Sequence, residues 1–208
     1  MAEAVRSKLP EVEAPRGPRP AGGTVTLFTV GHGARDIDGF LDLLRQAGVE
    51  RLVDVRTAPG SRKHPQFGKE ALAASLERTG IAYEWWGRDL GGWRRPLSDS
   101  RHISLRSAGF RGYADHMETD AFRDARHRLT ATSRDQPTAV MCAESLWWRC
   151  HRRMLADALV ASGCRVMHIG DRGRLDEHRL SPAARLEDDA VVYDVPEGDE
   201  RQRRPVDG

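Results

Sequence analysis

Short β-branched and aromatic runs alternate along this chain with segments whose apolar residues recur every three or four positions, and that alternation leaves few folds open. Thr24 to Val30, bounded by Gly31-His32-Gly33, predicts a first buried strand. Asp36 then caps a helix on which Ile37, Phe40, Leu41 and Leu44 form one stripe, and Gly48 stops it. The unit recurs: Leu52-Val53-Asp54-Val55 as strand, a polar loop from Arg56 to Gly68, and a helix through Leu72 and Leu76 that ends at Gly80. Ile81-Ala82-Tyr83 opens a third strand, and an irregular segment runs from Gly87 to about Gly112. A helix from Thr119, a strand at Ala139-Val140-Met141-Cys142, a helix from Trp147 to Ser162 and a strand at Val166-Met167-His168-Ile169 follow, with a last edge strand within Asp189 to Val195. Strands separated by helices imply right-handed crossovers. The expected fold is therefore α/β and doubly wound, a mostly parallel sheet with helices on both faces and the strands near Thr24, Leu52, Ala139 and Val166 pointing one way.

The chain's 208 residues suit one such domain, here residues 24–195, between a Pro- and Arg-containing leader over residues 1–23 and a charged tail over residues 196–208, both expected to be disordered. No apolar stretch reaches the roughly 20 residues that span a bilayer, so no membrane partner is expected. The N-terminus lacks the apolar run of a secretory signal, which makes a cytoplasmic location the expectation. Three cysteines, Cys142, Cys150 and Cys164, cannot all pair within the chain and are expected reduced. Nearly all the cationic side chains are arginines, whose planar fork suits phosphate and carboxylate. With a net charge of only +2 there is no global nucleic-acid footprint.

In a doubly wound sheet, ligands bind beyond the carboxyl ends of the strands. The first residues after each strand are Gly31 and His32, Asp54 and Arg56, Cys142 and Glu144, and His168 to Asp171. The helix starting near Cys150-His151-Arg152 adds free amide groups and a positive dipole end that favour an anion. The loop from Arg56 to Pro65, with Ser61, Arg62, Lys63 and His64 between Pro59 and Pro65, concentrates cations at a strand end. A more ordinary reading stands beside each group. Cys142 and Cys150 fit apolar packing, Asp54 fits a structural partner of an arginine, and a charge run fits solvated surface. Cys142, Glu144, Cys150 and His151 offer thiolate, carboxylate and imidazole for a transition metal, although the spacing matches no zinc knuckle. Neither a dinucleotide fingerprint nor a phosphate-binding P-loop occurs, so the sequence names no cofactor.

The separated motifs Val30-Gly31-His32, Val53-Asp54-Val55-Arg56 with Pro59, Ser61 and Pro65-Gln66-Phe67, Leu90-Gly91-Gly92, Phe110-Arg111-Gly112-Tyr113-Ala114, Cys142-Ala143-Glu144 and Cys150-His151-Arg152-Arg153 follow one another in order. Together they resemble domain-of-unknown-function family 488, a compact α/β group with no settled activity, over about Thr24 to Asp171. The resemblance implies that these motifs, including Arg111 and Tyr113, belong to one site. The chain departs from the family pattern at Leu146-Trp147-Trp148 and between Trp93 and Gly109.

The leading expectation is an enzyme or enzyme-like domain that binds an anionic small molecule or nucleic acid through Arg56, Ser61, Arg62, Arg111, Tyr113 and Arg152. His32, Asp54, Glu144 and His151 are its candidate catalytic groups. One rival is a metal- or haem-binding protein with Cys142, Cys150 and His151 as ligands, and another is a noncatalytic interaction module.

Overall fold

The computed structural model describes residues 23–60 and 62–195; Ser61 and nearly all of the expected leader and tail lie outside the described residues. Strands β1 (Thr26–Gly31), β2 (Arg51–Asp54), β3 (Ala82–Trp85), β4 (Thr138–Cys142), β5 (Arg165–Ile169) and β6 (Leu175–Glu177) form one sheet in the order β3-β2-β4-β1-β5-β6. The first five strands pair in parallel, and β6 runs antiparallel on the β5 edge. The strands expected near Thr24, Leu52, Ala139 and Val166 thus all point one way.

Alternation along the strands divides the core in two. Leu27, Val53, Val55, Val140 and Val166 face one side, where they pack with residues of helices α4 (Ala108–Met117), α5 (Asp120–Asp135) and α6 (Arg152–Ala161). Val30, Leu52, Ala139, Met141 and Ile169 face the other, against α1 (Ile37–Gln46) and α2 (Lys69–Glu77). The chain leaving β1 therefore enters a helix on one face, and the chain leaving the adjacent β4 enters a helix on the opposite face. This is the topological switch at which doubly wound sheets open a crevice.

Asp36 accepts from the Gly39 amide at 2.7 Å and Thr119 from the Phe122 amide at 3.3 Å, so α1 and α5 begin at their expected caps. Three boundaries differ from expectation. The segment after Gly87 contains a short helix, α3 (Gly87–Leu90), and α4 begins before Gly112. The helix expected from Trp147 begins at Arg152 instead, after a single 3-10 turn over Trp147–Arg149, because Cys150 is extended between them. The strand within Asp189–Val195 is not an edge of the main sheet: β8 (Ala190–Val192) pairs with β7 (Arg185–Glu187) in a separate hairpin.

Behind β5 runs a buried polar chain. Thr29 Oγ1 meets His168 Nδ1 at 2.6 Å, His168 Nε2 meets His178 Nδ1 at 2.9 Å, and His178 Nε2 meets Asp157 Oδ1 at 3.0 Å. The Tyr193 hydroxyl and the Ser181 amide also donate to Asp157, at 2.8 and 2.7 Å. Trp147 stacks on the His168 ring at 4.0 Å. Burial, and then the neighbouring His178 and Arg152, lower His168 to a pKa of about 3, so it stays neutral in the fold. In the unfolded chain it titrates near 6.5. The unfolded state then binds the extra proton, and the stability held above pH 6.5 drains away as the pH falls toward 3, by about 1.4 kcal/mol per unit from this one residue. Urea denaturation of the wild type between pH 7 and 4 should show that decline, and His168→Asn should make it shallower, with the part due to His32 remaining, while lowering stability at pH 7. An equally steep decline in the variant would remove His168 from the account.

Candidate functional site

The crevice between β1 and β4 is a cavity of about 620 Å³ lined by His32 to Ala34, Arg56 to Ala58, Lys63, His64, Gly92, Trp93, Cys142 to Ser145 and His151. Each stretch follows the carboxyl end of a strand or comes from the loop after α3. The sheet ladder continues into the cavity wall, where the His32 amide donates to Cys142 O at 3.0 Å and the Gly33 amide to Ala143 O at 2.9 Å. That approach requires a glycine at Gly31, since a Cβ there would lie 1.9 Å from Glu144 O.

Arg56 and Asp54 form the charged wall. Arg56 Nε donates to Asp54 Oδ1 at 2.9 Å and Nη2 donates to Oδ2 at 2.6 Å, a fork-to-fork pair. The Tyr83 hydroxyl at 2.8 Å and the Arg56 amide at 3.0 Å complete the carboxylate's partners. Burial works against the Arg56 charge, but the hydrogen bond and field of Asp54 hold its pKa above the usual value. The remaining donor, Nη1, sits 3.4 Å from His32 Nε2. His32 stacks on Phe67 with centroids 4.2 Å apart, and burial lowers its pKa to about 4. It is a neutral imidazole at pH 7. Its Nδ1–H donates to Gly33 O at 2.9 Å, which leaves Nε2 as the acceptor beside Arg56.

The sulfur groups form the floor. His151 Nδ1 is 3.6 Å from Cys150 Sγ and 3.9 Å from Cys142 Sγ. The two thiols split each other's acidities: the neighbouring Cys142 lowers Cys150, and Cys150, together with burial, raises Cys142. The pair thus gives up one proton readily and keeps the second. The Tyr113 ring packs edge to face on His151 at 5.0 Å, and Gly92 lies so close that a Cβ there would be 2.5 Å from His151 Nδ1. Glu144 is exposed at the rim, its Oε1 accepting from the Leu146 amide at 3.1 Å.

Of the expected site residues, His32, Arg56, Cys142, Glu144 and His151 line the cavity. Asp54 stands behind Arg56, Tyr113 behind His151, and Cys150 beneath the lining. Arg62 is exposed and Arg111 partly buried, and neither lines the cavity. His168 belongs to the polar chain behind β5, and Asp171 pairs with Arg35 outside the cavity. Arg152 is placed differently from the ligand-facing position expected of it. It is buried, and its Nη2 donates to the backbone carbonyls of Glu144 and Ser145, which clamps the turn after β4. Sequence reasoning overlooked Trp93 and Thr57. Thr57 Oγ1 accepts from the Trp93 amide at 3.1 Å, docking the loop after α3 onto the loop after β2. The Gly91-Gly92 pair was the available signal, because adjacent glycines mark a close backbone approach.

The clamp makes Arg152 a stability residue. Arg152→Met is expected to cost about 1.5–3 kcal/mol, the size of a lost charge-assisted hydrogen bond, in chemical denaturation. An unchanged denaturation midpoint would show that its carbonyl contacts contribute nothing.

No curated protein and no solved structure matches this chain. Residues 36–159, more than half of its length, match the model for Domain of unknown function DUF488, and the chain belongs to that family.

Proposed function

We propose that the cleft is the ligand site of an enzyme acting on a small phosphate-bearing molecule, such as a nucleotide. The observation that carries this reading is the division of labour within Arg56. Asp54 fixes the guanidinium through Nε and Nη2, and Nη1, with one hydrogen toward His32 Nε2 at 3.4 Å, keeps a second hydrogen on a side chain that lines the cavity. A preorganised donor loses little entropy on binding an anion. Lys63, in the same lining, supplies a second positive charge. His32, neutral and aligned on Arg56, and His151, against the two thiols, are the candidate proton-transfer groups, with Glu144 at the rim. Trp93, 76% exposed where it edges the cavity, offers a face on which a planar base can stack. A long nucleic acid is less favoured, because the cations that line the cavity are confined to one short loop.

Calorimetric titration with inorganic phosphate and with a nucleoside monophosphate tests the reading. Lys63→Ala should weaken both ligands by severalfold without altering the melting temperature. Arg56→Lys keeps a cation beside Asp54 but gives up the planar fork, and should weaken binding about tenfold, as expected for one charge-assisted contact. Trp93→Ala should weaken the nucleotide and leave phosphate alone. Wild-type protein that binds neither compound would overturn the proposal.

A further inference from the structure

We propose that Cys142, Cys150 and His151 bind a single thiophilic divalent cation of the zinc class at the floor of the cleft, with a coordination position left facing the cavity. The inference does not depend on an anion binding to Arg56, and it makes His151 a ligand in place of a proton-transfer group. The three donors come from the end of β4 and the residues just before α6, and the clamp of Arg152 on Glu144 O and Ser145 O folds the intervening turn back so that they meet. All three donor atoms lie within 4.8 Å of one another.

The two nitrogen–sulfur separations are those of a tetrahedral site without its ion, and the sulfurs, within 4.8 Å of each other, close slightly when they bind one. Metal–sulfur bonds of about 2.3 Å and metal–nitrogen bonds of about 2.0–2.1 Å at the tetrahedral angle put sulfur and nitrogen about 3.6 Å apart. His151 Nδ1 stands 3.6 and 3.9 Å from the two sulfurs. As plain hydrogen bonds these contacts are long, and they give the ring little else: His151 is only 8% exposed and its Nε2 has no hydrogen-bond partner. Nδ1 itself is thus left with two long sulfur contacts and no stronger partner, and ligation of a cation through Nδ1 gives it one. Cys142 and His151 line the cavity, so an ion held by them borders it. Two thiolates and one imidazole are a donor set used by catalytic zinc, which leaves one position for water or substrate. Donors that converge on a single point also favour a bare ion over haem, whose iron already lies in a ring of four nitrogens and takes axial ligands only.

The test is cobalt(II) titration of the full chain, reduced and stripped with chelator, read by absorption. The expected result is about one equivalent bound, with sulfur-to-metal charge transfer in the near ultraviolet and visible bands of tetrahedral intensity, displaced by zinc. Cys142→Ser, Cys150→Ser and His151→Gln should each weaken binding about tenfold or more, whereas Cys164→Ser, whose thiol lies beside Thr130, should leave it unchanged. Melting curves of each variant without metal show that it is folded. No charge-transfer band in the wild type, or a band that survives in the Cys142→Ser/Cys150→Ser double variant, overturns the proposal. A wild type that binds cobalt yet no phosphate would reject the anion reading alone.

Discussion

The pairing of β1 with β4 governs everything around the cleft. These neighbours run in parallel from Leu27 opposite Thr138 to Gly31 opposite Cys142, and their hydrogen bonding continues two residues beyond the strands. Because the following chains turn to opposite faces, the space above the two strand ends cannot be filled by either connection. Loops from β2 and α3 wall it instead. The cavity is thus a product of strand order, and the chemistry within it depends on which residues happen to end each strand.

Two buried arginines show how similar groups do different work. Arg56 has a carboxylate to hold it and lines the cavity, its Nη1 beside His32. Arg152 is as deeply buried, but among the described residues it forms no ion pair with a carboxylate, and its contacts are to peptide carbonyls. One arginine thus lines the cavity and the other ties down a turn, about a hundred positions apart in the chain. The polar chain from Thr29 through His168 and His178 to Asp157 is a third solution. Each ring nitrogen in it has a partner, so its burial costs far less than isolated groups would.

Much of this was legible beforehand. The periodicity of Ile37 to Leu44, the caps at Asp36 and Thr119 and the apolar strands gave the parallel sheet, and the rule that ligands sit at strand ends pointed to His32, Arg56 and Cys142. What remained hidden depended on contacts between distant segments. Gly112 reads as the end of an irregular segment, yet it lies inside α4, where it is a glycine because the backbone of Arg94 to Pro96 passes within 2.5–2.7 Å of where its Cβ would be. Trp147 looked helical, but its ring is drawn onto His168. Whether an arginine beside a helix start faces a ligand or a carbonyl is not encoded locally, which is why Arg152 was expected in the cavity.

The absence of a side chain at Gly92 has a mechanical meaning. Its backbone rests against the His151 imidazole, while the next residue, Trp93, stands at the mouth of the cavity. Rim and floor are therefore joined through a single peptide unit. The indole at the entrance thus stands on the same stretch of backbone that packs the imidazole at the base, and that stretch is tied to Thr57 through the Trp93 amide.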